Sequence, residues 1–274
     1  MSADLELAER AARAAGDVLL SYYGQAPEGL ASKTSVTDPV SDADREAERI
    51  IRDLLLGERP DDGILGEEGS ESRSDSGRTW IVDPLDGTVN FLYGLRTWAV
   101  SIALEDEEGL AAGVVFDPVD GECFTAVRGE GARMNGNPIR VNGCDRLERA
   151  MVATGFSYVA EERAEQAQLL LALLPRIRDV RRAGAAALDL AYVAAGRVDA
   201  YYERGLKRWD EAAGLLLVAE AGGTLADLVG EPHGVIAAAT PQLFDELAAF
   251  VPSRRPAAAG SRPAPGSAGR SACP

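Results

Sequence analysis

The chain has one histidine and three cysteines in 274 residues. Cys123, Cys144 and Cys273 are widely spaced and form no CxxC pair, so neither a disulfide framework nor a zinc site is suggested; buried or idle thiols are the expectation. No apolar run approaches the length of a membrane span. The opening stretch, MSADLELAERAARAAG, is an amphipathic helix without the basic-then-apolar layout of a signal peptide, so the cytoplasm is the default location. His233, in Glu231-Pro232-His233-Gly234, stands among turn formers and is expected on a surface loop.

Positive charge is also scarce. Lys and Arg number 28 against 44 Asp and Glu, a formal net charge of −16. Such a balance argues against a general nucleic-acid or anionic-membrane binder, which needs clustered Lys and Arg to neutralise phosphates. Arg254, Arg255, Arg262 and Arg270 fall in a segment from 252 that has no acid, so the remainder carries −20. Any phosphate must be held locally. An acidic body suits cation binding, although a solvated acidic surface is the commoner cause.

A hydrophobic fraction of 46% in 274 residues is ample for one large domain or two intimately packed ones. Helices are predicted at roughly 2–23 and 41–56, the second opened by Ser41 or Asp42 as N-cap. Strands follow at Gly63–Glu67, Thr79–Asp83, Trp98–Glu105, Ala111–Asp117 and Glu122–Arg128, with a short return near Ile139. Their short turns, such as Asp120-Gly121, suggest a largely antiparallel sheet. The rhythm then alternates: strand Ala150–Thr154, helix 161–175, a strand near Val180, helix 184–196, strand Val198–Glu203 and helix 210–222. Gly234–Ala239 and Pro241–Phe250 close the pattern. The expected organisation is an α+β half over 1–145, an α/β half over 146–251 and a disordered Pro-, Gly-, Ser- and Ala-rich tail over 252–274. The cleft between the halves is the default ligand site.

Chemistry concentrates in Trp80-Ile81-Val82-Asp83-Pro84-Leu85-Asp86-Gly87-Thr88-Val89-Asn90-Phe91. An apolar strand delivers Asp83 at its end and Pro84 forces a turn. Asp86 and the Leu85 carbonyl can then converge with Asp83 as hard-oxygen ligands. Gly87-Thr88 leads into a short helix whose backbone N–H groups suit an anion. Taken alone, Asp-x-x-Asp at a turn is usually an Asx or capping arrangement. Ile64-Leu65-Gly66-Glu67-Glu68-Gly69 ends another strand with two acids, which repel unless cations or solvent relieve them. In Lys207-Arg208-Trp209-Asp210-Glu211, Asp210 opens an apolar helix and could serve only as its N-cap.

In order, spacing and wording these pieces resemble the inositol monophosphatase family. Gly66-Glu67-Glu68, Asp83-Pro84-Leu85-Asp86-Gly87-Thr88-x-Asn90-Phe91 and Trp209-Asp210 carry the resemblance. Val40-Ser41-Asp42-Ala43-Asp44 does so as well, with Lys33 eleven residues before Asp44. It covers about residues 5–250, including Met134-Asn135-Gly136 and Gly184-Ala185-Ala186-Ala187-Leu188. The stretch from Thr224 to Pro232 is compressed relative to the family, and the tail after Pro252 has no counterpart.

The resemblance implies a layered αβαβα fold of the sugar-phosphatase type and a magnesium-dependent, lithium-sensitive phosphoric monoester hydrolase. Glu67, Asp83 and the Leu85 carbonyl would hold one Mg2+. Asp83, Asp86 and Asp210 would hold a second, with Asp83 bridging, and a third, weaker ion would share Glu67. Thr88, backed by Asp44, would orient and help deprotonate the attacking water, with Glu68 and Lys33 in support. Gly87 and Thr88 amides would take phosphate oxygens. Asp86, Gly184, Ala186, Glu203 and Asp210 would line the polyol site, Glu203 accepting from ring hydroxyls. The implied substrate is myo-inositol monophosphate, with histidinol phosphate or fructose 1,6-bisphosphate as alternatives. A non-catalytic binding role is a further alternative, and a homodimer is implied.

Overall fold

Leu5, Ala8, Ala12, Ala15 and Leu19 recur at three- and four-residue spacing. In the computed structural model they form the buried stripe of α1 (Ala3–Tyr22), which Ser2 caps by accepting the Leu5 N–H at 3.2 Å. The structure describes residues 2–25, 31–32, 39–40, 42–251 and 253–254. Lys33, Ser41 and Cys273 lie outside the described residues. The two-residue strands β1 (Ala31–Ser32) and β2 (Pro39–Val40) pair antiparallel. Helix α2 (Asp42–Glu58) packs beside α1 and buries Ala43, Ala47, Ile51 and Leu55.

An eight-stranded sheet follows, built from β3 (Gly63–Gly66), β4 (Glu71–Ser72), β5 (Thr79–Asp86), β6 (Ala99–Asp106), β7 (Gly109–Asp117), β8 (Glu122–Val127), β9 (Gly131–Met134) and β10 (Asn137–Ile139). Its order is β10-β9-β8-β7-β6-β5-β3-β4, antiparallel throughout except for the parallel β3–β5 pair. Helix α3 (Thr88–Leu92) interrupts the chain between β5 and β6. Asn135 and Gly136, at φ 48° and 78°, make the two-residue β9–β10 turn, and the double positive φ suits the twist of a hairpin.

The second sheet holds β11 (Met151–Thr154), β12 (Asp179–Arg181), β13 (Ala200–Arg204), β14 (Thr224–Leu228), β15 (Gly234–Ala238) and β16 (Ser253–Arg254), in the order β12-β11-β13-β15-β14-β16. β11 runs parallel to both its neighbours and the other pairs are antiparallel. The remaining helices are α4 (Ala160–Leu173), α5 (Ala186–Ala194), α6 (Arg208–Glu220) and α7 (Pro241–Ala248).

Period-two alternation separates the layers. Trp80, Val82, Val100, Ile102, Leu104, Val114 and Phe116 face α1 and α2, whereas Ile81, Ala99, Ala103 and Val115 face α5 and α6. The far side of α5 and α6 meets Ala153, Tyr201, Val235 and Ala237 of the second sheet. That sheet's outer face holds Val152, Ala200, Ile236 and Ala238 against Leu173 of α4 and Leu243, Phe244 and Leu247 of α7. Five layers result, αβαβα. α5 is apolar nearly all round because it lies between two sheets, with Asp189 buried within it. Among the described residues no helix is long and apolar enough to cross a membrane.

One strand bound needs correction, and two further strands were not expected. β5 does not end at Asp83 but runs through Pro84 to Asp86. The compressed stretch from Thr224 contains a strand, β14. Ser253–Arg254, in the segment expected to be disordered, pairs with β14 and covers the edge of that sheet.

Candidate active site

The register of β5 against β6 shifts between Asp83 and Asp86, a bulge in which Pro84, having no N–H, is tolerated. Asp83 is 2% exposed, and its Oδ1 accepts the Leu85 N–H at 2.9 Å. Gly87 follows at φ 90°, and a Cβ there would stand 3.0 Å from the Thr97 carbonyl oxygen. Thr88 then opens α3. Its Oγ1 lies 3.2 Å from Asp44 Oδ1 and 3.1 Å from the Leu85 carbonyl, so one hydroxyl proton is shared between two acceptors. Asp44, from the first turn of α2, is 1% exposed.

Glu67 leaves the end of β3 with its N–H on the Val82 carbonyl at 3.1 Å, so it sits beside the end of β5. Glu68 and Ser70 donate their N–H groups to Glu48 Oε2 and Oε1, both at 2.8 Å. Sequence reasoning missed Glu48. An acid one turn from Asp44, on the apolar stripe of α2, was the available signal.

Asp86 reaches across to the other half. Its Oδ1 and Oδ2 accept the N–H groups of Ala186 at 3.2 Å and Ala187 at 2.7 Å, at the positive end of α5. Asn90 makes a second tie, donating from Nδ2 to the Thr97 carbonyl at 2.6 Å and the Ala183 carbonyl at 2.8 Å, beside Gly184. Asp210 is not the N-cap of α6, which begins at Arg208. It occupies the third helical position and reaches back to accept the Lys207 N–H at 2.7 Å.

Glu203 lies near the end of β13, not turned to open solvent. The fully buried Tyr201 donates its hydroxyl to Glu203 Oε2 at 2.7 Å, and a Cβ on Gly155 would stand 2.0 Å from each of the Glu203 carboxylate's three atoms. His233 lies on the exposed loop before β15, as expected, and has a buried partner there. Its Nε2 lies 3.0 Å from Glu211 Oε2, a buried carboxylate next in sequence to Asp210.

The acids feel one another. Desolvation, joined by the charges of Glu203 and Glu67, pushes Asp86 up to about 7 against the Ala187 and Ala186 N–H bonds that hold it down. Desolvation and then Glu67, Asp86 and Glu203 drive Asp210 well above the carboxylate range. Desolvation also lifts Glu203 to about 7, relieved in part by Tyr201 and Arg182. Asp189 rises from burial, with Glu203 and Asp86 adding to it. Glu67, Asp86, Glu203 and Asp210 therefore share one electrostatic field.

Among the described residues no three His, Cys, Asp or Glu groups form a ready ligand shell. Asp83, Asp86 and Asp210 are each tethered to backbone N–H groups instead. The donor set is nonetheless all oxygen and strongly anionic, which fits a hard divalent cation.

Comparison with known proteins bears on the family of the chain. The inositol-1-monophosphatase of Mycobacterium bovis is 43% identical over 244 residues, covering 84% of this chain and 83% of its own. The Nus factor SuhB of Pasteurella multocida is 41% identical over 253 residues, covering 90% and 95%. The crystal structure of the extragenic suppressor protein SuhB from Bartonella henselae superposes with a TM-score of 0.85 at 41% identity, covering 91% of this chain and 98% of that one. The model of the inositol monophosphatase family matches residues 1–255, and the chain belongs to that family.

Proposed function

We propose that the chain is a magnesium-dependent phosphomonoesterase that hydrolyses myo-inositol monophosphate to inositol and phosphate. The observation that carries this reading is the cluster beyond the ends of β3 and β5 where Glu67, Asp86 and Asp210 share a field beside the Thr88–Asp44 pair. Glu67, Asp83 and the Leu85 carbonyl would hold one Mg2+; Asp83, Asp86 and Asp210 would hold another; a third would share Glu67. Bound magnesium supplies positive charge that offsets the substrate phosphate and makes nearby water more acidic.

The chain's own groups do the rest. Thr88 Oγ1 accepts from the attacking water while directing its own proton at Asp44 Oδ1, which the hydrophobic stripe of α2 shields from bulk solvent. The Gly87 and Thr88 amides meet phosphate oxygens. Glu203, oriented by Tyr201, accepts from vicinal hydroxyls of the alcohol, and Gly184 and Ala186 shape the floor between it and Asp86.

Phosphate release from inositol phosphates, histidinol phosphate, fructose 1,6-bisphosphate and adenosine bisphosphate tests the reading. Inositol monophosphates should turn over fastest, only with Mg2+, and lithium should inhibit. No turnover of any panel member contradicts the proposal, and preference for histidinol phosphate or fructose 1,6-bisphosphate replaces its substrate. A second reading, as a binding protein of the transcription machinery, draws on the Nus factor name of the Pasteurella multocida relative. A cellular phenotype that persists in a hydrolysis-dead variant would favour it.

Gly155→Ala probes the alcohol site alone, because the new methyl displaces Glu203. Losing a hydrogen bond to a charged acceptor costs about 1.5–3 kcal/mol. The kcat/KM for inositol monophosphate should therefore fall on the order of tenfold or more. That for p-nitrophenyl phosphate, which has no vicinal hydroxyls, should hold. Equal losses on both substrates would remove Glu203 from alcohol recognition.

A further inference from the structure

Glu48 lies one helical turn beyond Asp44, on the face of α2 that packs beneath β5, and is 3% exposed. A carboxylate in such a place needs hydrogen-bond donors to replace water. It finds them in the backbone of the loop after β3, one oxygen taking the Glu68 N–H and the other the Ser70 N–H, both at 2.8 Å. The same loop is fastened twice more, Gly66 N–H to the Ser70 carbonyl at 2.7 Å and Glu67 N–H to the Val82 carbonyl at 3.1 Å. Glu67 is thus set between a bond to the neighbouring strand and a carboxylate clamp on the residues that follow it. Space for the clamp comes from Gly66, where a Cβ would stand 2.4 Å from Glu48 Oε2 and 2.7 Å from its Cδ.

We infer that Glu48 is a positioning residue: by clamping the 66–70 loop from α2 it holds the Glu67 carboxylate where the cation is received. The inference rests on the magnesium site proposed above. Its signature is a weaker hold on magnesium, not a slower step once the ion is bound, because Glu48 touches the backbone and neither substrate nor Thr88. Groups that orient a metal ligand typically carry 10- to 100-fold of the affinity.

Two variants break the clamp from opposite sides. Glu48→Gln turns one acceptor into a donor facing an N–H, and Gly66→Ala pushes an intact Glu48 off the loop. In both, the Mg2+ concentration at half-maximal activity should rise about tenfold or more. At saturating Mg2+, kcat should stay within about threefold of the parent protein and substrate KM should be unchanged. Isothermal titration with Mg2+ alone, or the Mg2+ midpoint of the rise in melting temperature, should show the same shift without turnover. Asp62→Asn is the control. Asp62 is a buried carboxylate of the same half that accepts from Trp80 Nε1 and Ser76 Oγ, so its loss should lower the melting temperature and leave the Mg2+ midpoint in place. A folded Glu48→Gln or Gly66→Ala protein with the parent's Mg2+ midpoint overturns the inference and leaves the proposed function standing. A parent protein whose melting temperature and activity ignore Mg2+ overturns both.

Discussion

Asp83→Asn should lower turnover by at least about a thousandfold while leaving the fold in place. A cation ligand that serves two ions contributes several kcal/mol to stabilising developing charge, and about 4 kcal/mol corresponds to three powers of ten. The substitution is nearly isosteric. Asn Oδ1 can keep the Leu85 N–H that Asp83 Oδ1 accepts at 2.9 Å, so the bulge retains that brace. The substitution also removes a buried negative charge, since Asp83 is 2% exposed, and with it the cost of keeping that charge out of water. Without magnesium the variant should therefore melt no lower than the parent protein, and the rise in melting temperature on adding Mg2+ should vanish. Phosphate release and thermal unfolding across a Mg2+ titration measure both. Activity within tenfold of the parent at saturating Mg2+ would remove Asp83 from the ligand set.

The second large effect is on stability. Asn90→Ala deletes the amide that donates to the Thr97 and Ala183 carbonyls, the tie between α3 and the segment leading into α5. A buried acceptor left without its donor costs about 1–3 kcal/mol. Thr97 and Ala183 retain some solvent contact, so a total of about 2–3 kcal/mol is expected from the pair. For a chain of this size that lowers the melting temperature by roughly 5–10 °C. Asn90→Asp should be worse, since a carboxylate would face two carbonyl oxygens. A drop of less than about 3 °C for Asn90→Ala would mean that water replaces the amide. The activity of the surviving fold should also fall, because Ala183 precedes Gly184, which the proposed function places at the floor of the site.

These two positions differ in how openly the sequence displays them. Asp83 lies in a motif of adjacent residues, so its neighbours declare its chemistry. Asn90 lies in the same motif, yet its partner Ala183 is 93 residues away, and no local pattern encodes that meeting. The strands β3, β6, β7 and β8 were legible because their two faces meet different layers and alternate accordingly. β14 was missed for the converse reason: four of its five residues are partly or fully exposed, so little contrast marks its faces. β5 was cut short because proline reads as a strand end, and only pairing with β6 shows that a bulge absorbs it. Asp210 read as an N-cap because the apolar run begins at Ala212, while the helix starts a turn's fraction earlier and uses that carboxylate to reach back. Glu48 and Gly155 were silent for a shared reason. Each meets its partner from another element, and a sequence records contacts between elements only faintly.

The single parallel pairing in the large sheet has a consequence for how this site can vary. Because β3 and β5 run the same way, Glu67 and Asp83 emerge at one end of the sheet by chain direction alone. The connection from Ser70 to Arg78 must travel back to the opposite end before β5 begins, and most of it is exposed. Its length is thereby uncoupled from the geometry of the acids. Insertions or tags placed at the exposed Arg73, beyond the Ser70 clamp and the β4 pairing, should be tolerated, which makes it a practical handle for labelling or immobilising the protein without disturbing the site.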